Sequence, residues 1–157
     1  MIRNATKEDA QSIHELHTRS VRSLCQDHYS EEQITAWLTG RTPEGYRGIA
    51  RNEMFVFEDN DGIKGFFHAV EGENLAIFVD PEYINKGIGY DILKHAIKLA
   101  TKDQTCLVKL KSTLNASCFY RKFGFKVVGK GSDKNGPHII MEKKFNEANT
   151  ASVGRMK

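Results

Sequence analysis

The chain has 157 residues, with 23 Lys and Arg against 20 Asp and Glu, for a formal net charge of +3. That length, with 39% apolar residues, can build the core of one compact domain without disulfides or a structural metal. So small a charge, with no long block of one sign, excludes an electrostatic case for nucleic-acid or membrane-surface binding and leaves only a mild preference for anionic ligands.

No apolar run approaches a membrane span, and MIRNATKEDA lacks the apolar segment and cleavage pattern of a signal peptide, so a cytoplasmic location is expected. Cys25, Cys106 and Cys118 are an odd number without a CxxC pair, which argues against a disulfide framework or a zinc site and for small apolar residues. IHELH places His14 and His17 three apart, whereas the zinc helix needs histidines four apart, so no metal is expected.

In chain order, Ile2 to Ala5 reads as a short strand, and Thr6 with Asp9 as a capping box. Ala10, Ile13, Leu16, Val21 and Leu24 recur at helical spacing and predict a first helix ending before Asp27. Ser30 with Gln33 caps a second, whose apolar face is Ile34, Trp37 and Leu38 and which Gly40 and Pro43 end. RTPEGYRGIARNE, polar and glycine-rich, reads as a surface loop.

The period then changes to two. MFVFED and IKGFFHAV flank a DNDG turn and predict a hairpin; EGEN precedes a further strand, LAIFV. A helix follows with Ile88, Ile92, Leu93, Ala96, Ile97 and Ala100 on one side and Lys94 and Lys98 on the other. Next come a strand at CLVKLKS, a short helix at ASCFYRKF closed by Gly124, and strands at FKVVGK and HIIMEKK. The order β, α, α, β, β, β, α, β, α, β, β predicts an α+β fold over residues 1–145 as a single domain, not a doubly wound βα repeat, with 146–157 as a mobile tail.

VDPEYINKGIGYDIL carries a strand through a glycine turn into a helix. Amides at a helix N-terminus have no partner within the helix and favour an anion, and Gly87 and Gly89 leave room for phosphate to approach the backbone beside Lys86. There is no GxxxxGK[ST], and Ile92 occupies the third glycine position of GxGxxG, so nucleotide hydrolysis and Rossmann-type hydride transfer lose ground.

The same segment resembles motif A of the Gcn5-related N-acetyltransferases, VxPxY followed by R/QxxGxG/A, and LNASCFYRKFGF resembles the second part of that family's signature. YSEEQITAWL followed by GRTPEGY is similar to a bacterial subgroup of small members. The resemblance implies a mixed, mostly antiparallel sheet with helices on both faces and acetyl-CoA as co-substrate. Ile84 departs from it, standing where the family usually has Arg or Gln.

The resemblance also implies roles. Backbone at Phe78 and Val79 would bind the pantetheine arm, Lys86, Gly87, Ile88, Gly89 and Tyr90 the pyrophosphate, and Asn115 the pantetheine or phosphate arm. Tyr120 aligns with the family's tyrosine acid, and Glu73 sits at the offset where some members carry a catalytic glutamate; an ammonium must lose a proton before it can attack. His138 and His68 are alternative bases. His28, Tyr29, Trp37, Tyr46 and His138 are candidate linings of an acceptor pocket, with Trp37 better explained by core packing given its helical spacing with Ile34 and Leu38. The acceptor implied is a small-molecule or peptide amine, the assembly a monomer or homodimer. A competing reading is a catalytically silent acyl-CoA-binding or regulatory module; a general anion-binding scaffold is a third.

Overall fold

The computed structural model describes residues 1–145, so the expected tail at 146–157 lies outside the described residues. The elements are β1 (Ile2–Asn4), α1 (Ala10–Leu24), α2 (Glu31–Leu38), β2 (Met54–Asp59), β3 (Gly62–Val70), β4 (Glu73–Val79), α3 (Ile88–Ala100), β5 (Leu107–Ser112), α4 (Ser117–Lys122), β6 (Lys126–Asp133) and β7 (Gly136–Lys144). Short 3-10 turns at Lys7–Asp9, Pro43–Gly45 and Pro81–Tyr83 join them. The strand predicted at LAIFV begins earlier, at Glu73, because Glu71 and Gly72, the latter with φ of 78°, suffice for the turn.

The strands form one sheet in the order β1-β2-β3-β4-β5-β7-β6. Every neighbouring pair is antiparallel except β4 and β5, which pair in parallel. That parallel pairing lasts only for Glu73↔Lys109 and Asn74↔Leu110. On its other side β4 skips a residue: His68 pairs with Ala76 and Ala69 with Asn74, so Leu75 has no partner in the ladder. Such a bulge bends its strand and increases the local twist. It falls where β4 leaves β5, and beyond it the two strands diverge.

Helices cover both faces. On one, α1 buries Ile13, Leu16, His17, Ser20 and Val21, a full 3.6-residue stripe, and packs with α2 against Met54, Val56, Phe66 and Phe78. The capping box of α2 forms as its sequence predicts, with Gln33 N–H donating to Ser30 Oγ at 3.0 Å and Ser30 N–H to Gln33 Oε1 at 2.9 Å. On the other face α3 lays Ile88, Ile92 and Ala96 against Phe67 and Ala69. It comes so close to β3 that a Cβ on Gly65 would lie 2.7 Å from Ile92 Cδ1.

On that same face α3 and α4 share a core with β5 and β7, built from Leu93, Ile97, Val108, Leu110, Tyr120 and Met141. Lys143 Nζ closes the end of α4 by donating to Phe123 O at 2.8 Å. The cysteines divide: Cys25 is buried, whereas Cys106 and Cys118, expected as small apolar residues, are exposed. No helix among the described residues is long and apolar enough to cross a membrane.

Candidate active site

Where β4 and β5 part, a cavity of about 460 Å³ opens between the α1–α2 face and the split. It brings together Glu73, Tyr120, Tyr29, Trp37, Tyr46, His68, His138 and the ring of Phe78. His28, Val79, Asn115 and the turn from Lys86 to Tyr90 lie outside its lining, and His28 is exposed.

The antiparallel ladder decides which backbone groups face the split. Asp80 N–H donates to Lys64 O at 2.8 Å, and Gly65↔Val79, Phe66↔Phe78 and Phe67↔Ile77 follow in register. Bonded and non-bonded pairs alternate in such a ladder, so Phe78 bonds to β3 while Ile77 and Val79 turn their amides and carbonyls toward the opening. Ser20 Oγ donates to the Val79 carbonyl at 2.8 Å. Phe78 therefore reaches the cavity through its ring, and Ile77, which the sequence did not single out, presents backbone to the split.

The glycine turn stands at the head of α3. Gly87, the N-cap, has φ of 86° and gives no side-chain cap, so the first-turn amides face outward without a side-chain partner. A Cβ on Gly87 would meet nothing within 4 Å, and one on Gly89 would make only ordinary 3.5 Å contacts with Phe119. The fold itself does not need that space. It is a cradle that side chains would fill, and it suits a pyrophosphate. Asn85 (φ 61°) and Gly87 set the turn, Lys86 Nζ lies 5.3 Å from the Tyr83 ring centroid, and Ile84 and Tyr90 are exposed. Asp80 anchors the approach by accepting from Glu82 N–H at 3.0 Å and from Arg19 at 2.8 Å. Asn115 accepts from Cys25 Sγ at 3.3 Å, which ties the start of α4 to α1.

Tyr120 is 6% exposed, and burial pushes its hydroxyl pKa up, a rise that the Asn74 amide opposes. Asn74, 2% exposed, has neither Nδ2 nor Oδ1 in hydrogen-bond geometry with a partner among the described residues. Tyr29 bridges the two halves: its hydroxyl donates to Pro137 O at 2.7 Å and accepts from Leu114 N–H at 3.1 Å. His68 Nε2 lies 2.8 Å from Glu53 Oε1, and its ring fills the space beside Gly48. His138 Nδ1 lies 3.8 Å from Asp133.

The stretch read as a surface loop, 41–53, is thereby part of the cavity wall. Tyr46 is pinned to α1 by a 3.0 Å contact between its hydroxyl and His17 Nδ1, and burial raises the Tyr46 pKa to about 12. His17 and Asn74 were missed as site residues in the sequence. The signal for His17 was present, since it completes the helical stripe of Ile13, Leu16 and Val21 as a polar member facing the core. For Asn74 there was none. Among the described residues no group of three or more His, Cys, Asp or Glu could hold a metal.

A mixed sheet whose one parallel pair splits, with an uncapped glycine turn at the head of α3, is the fold of an acetyltransferase. The family model for the acetyltransferase (GNAT) domain matches residues 25–145, and the chain belongs to that family. It is an acetyl-CoA-dependent N-acetyltransferase, with acetyl-CoA as co-substrate. The chain is 28% identical over 127 residues to the uncharacterized N-acetyltransferase YafP of Escherichia coli (strain K12), covering 81% of each. It is 29% identical over 160 residues to the spermidine N(1)-acetyltransferase of Thermoplasma acidophilum, covering 92% of this chain and 96% of that one. The crystal structure of PaiA N-acetyltransferase from Thermoplasma acidophilum, in complex with coenzyme A, superposes with a TM-score of 0.77 at 28% identity, over 92% of this chain and 98% of that one.

Proposed function

We propose that the chain transfers an acetyl group from acetyl-CoA to the primary amine of a small molecule or peptide by direct attack, with Glu73 as base and Tyr120 as acid. One observation carries the reading: Glu73, on the last paired stretch of β4, and the buried hydroxyl of Tyr120, on α4, line one cavity at the point where the strands part. Acetyl-CoA supplies the acetyl group already activated as a thioester.

The chain's own residues do the rest. Amides in the first turn of α3 and Lys86 hold the pyrophosphate. The outward backbone groups of Ile77 and the Val79 amide would pair with the pantetheine arm as an added strand would, the Val79 carbonyl being engaged by Ser20. Glu73, directly or through one water, takes the proton from the ammonium so that a lone pair is available for attack. Tyr120, kept protonated by burial, donates toward the sulfur as negative charge develops there, and a hydrogen bond to a charged acceptor is stronger than a neutral one. The Asn74 amide lies on the β4 side of that phenol and opposes the rise that burial gives its pKa.

Calorimetric titration with acetyl-CoA, followed by an assay of CoA release over a panel of amines, tests this. Binding with turnover of at least one amine class is expected. Absence of acetyl-CoA binding at micromolar to millimolar concentrations overturns the reading, and binding without turnover of any amine leaves a silent acyl-CoA-binding module in its place.

A further inference from the structure

The acceptor side of the cavity has a charge pattern that acetyl transfer itself does not require. Arg41, Arg47, Arg51 and Lys111 line it against the carboxylates of Glu73 and Asp133. Asp133 lies 3.9 Å from Lys111 and 3.8 Å from His138, so its charge is shared there. The three arginines have no carboxylate partner among the described residues. Arg41 is the fixed one. Its Nε donates to Trp37 O at 3.0 Å and its NH2 to Asn135 Oδ1 at 3.4 Å, both uncharged acceptors, so the guanidinium is positioned without being neutralised.

Arg41 and Glu73 stand at different ends of the cavity. Trp37, Arg41, Tyr46 and Asn135 also line a second cavity of about 260 Å³ and therefore mark the end where the two meet. Glu73 and Tyr120 line only the first and mark the strand split. Beside Arg41, two buried polar atoms on residues that line the first cavity have no partner among the described residues: His17 Nε2 and Trp37 Nε1, on residues 6% and 7% exposed. Burial pushes the His17 pKa down to about 3, so its ring is neutral. In the tautomer in which the Tyr46 hydroxyl donates to Nδ1, that ring presents Nε2–H; Trp37 presents an N–H in either case. Buried donors are costly to leave unpaired, and an acceptor oxygen is what they lack.

We propose that the acceptor is a zwitterionic small molecule, an amine that also carries a carboxylate or equivalent oxyanion, with the oxyanion on Arg41, at the end walled by His17 and Trp37, and the amine at Glu73. The proposal rests on the acetyltransferase reading and narrows its substrate. It sets this chain apart from the relative named for spermidine, because a polycation would bring like charge against three unpaired arginines.

Binding to the CoA-loaded protein tests it, since CoA without the acetyl group permits no turnover. CoA is titrated first by calorimetry. The CoA-saturated protein is then titrated with the common amino acids, their decarboxylated amines, spermidine and a lysine-containing peptide. The best-bound amino acid is expected to bind about tenfold or more tightly than its decarboxylated amine, with spermidine weaker than both. Arg41→Gln abolishes that preference; Arg41→Lys, which keeps the charge and lacks the fork, lowers it to about threefold and carries the test if Arg41→Gln loses its thermal transition. Equal or tighter binding of the decarboxylated amines, spermidine or the peptide, no binding of any amino acid, or an unchanged preference in the Arg41 variants overturns the proposal. The two steps separate the claims: failure of CoA to bind defeats the acetyltransferase reading, while failure of the second titration with CoA bound defeats only the acceptor assignment.

Discussion

Asn74 and Leu110 form the last parallel rung between β4 and β5, and the Asn74 amide, one residue after Glu73, faces the hydroxyl of Tyr120 on α4. The end of a strand pair, an acidic side chain and a buried phenol thereby meet at one cavity. Tyr120→Phe keeps the ring and its packing against Phe119 and Phe125 and removes only the hydroxyl. The expected result is a fall in kcat of about 100-fold, with the KM for acetyl-CoA nearly unchanged. Thermal stability should shift by no more than about 1 kcal/mol. A variant as active as the parent, measured by CoA release, removes Tyr120 from the chemistry.

The glycine turn makes a separable prediction. At φ of 86° an L-residue costs about 1–2 kcal/mol, so Gly87→Ala should lower the melting temperature although its Cβ meets no protein atom. The same methyl projects into the space where phosphate would approach the amides of α3, and calorimetry should show CoA binding weakened on the order of tenfold. A destabilised variant with undiminished CoA affinity would place the pyrophosphate elsewhere.

How far the sequence foretold the site depended on what kind of interaction set each residue. Strands and helices were legible because burial on one face imposes a period, and the change from 3.6 to two at Met54 marks where helices give way to sheet. The glycine turn was legible because only particular residues accept its backbone angles. Asn74 was not, since its importance comes from a bulge at Leu75 and from a rung with β5, two pairings between segments far apart in the chain. Arg41 belongs to a stretch that reads as a surface loop, and its fixed guanidinium depends on the ends of α2 and of the β6–β7 hairpin meeting in space. Side chains that act through tertiary contact leave no periodic trace.

At the sheet's outer edge, Arg3 makes a two-pronged pair with Asp9, NH1 to Oδ2 at 2.8 Å and NH2 to Oδ1 at 3.0 Å, while its Nε reaches Glu58 at 3.1 Å. Asp9 also accepts the Thr6 N–H at 2.7 Å. The Arg3 guanidinium, first among these, holds the Asp9 carboxyl below its ordinary 3.8. A carboxyl whose pKa is lower in the folded state contributes stability above its unfolded value and loses it as pH falls through the folded one. Asp9→Asn should therefore cost about 1–3 kcal/mol at neutral pH, where Asp9 is nearly buried. The gap to wild type, read by urea unfolding, should narrow below about pH 4. A gap independent of pH would mean that the pair contributes packing alone.

His17 gives the opposite-charge case within the cavity wall. Its ring centroid lies 4.4 Å from that of Phe78 and 5.5 Å from that of Phe66. Desolvation, with Arg41 and His14 adding repulsion, lowers its pKa from 6.5 to about 3. The unfolded chain therefore binds a proton near pH 6.5 that the folded chain refuses. The stability that depends on a neutral His17 is complete above that value and is lost as pH falls toward 3, by about 1.4 kcal/mol per pH unit. Wild type should lose about 2 kcal/mol between about pH 7.5 and about pH 5 through this group alone. His17→Leu has no proton to take up, so it should be the less stable protein at the higher pH, where the contact with Tyr46 is missing, and should close the gap at the lower one. Urea unfolding of both proteins at the two pH values measures the difference directly. Parallel losses in wild type and variant would show that His17 titrates normally in the fold and that its ring is solvated.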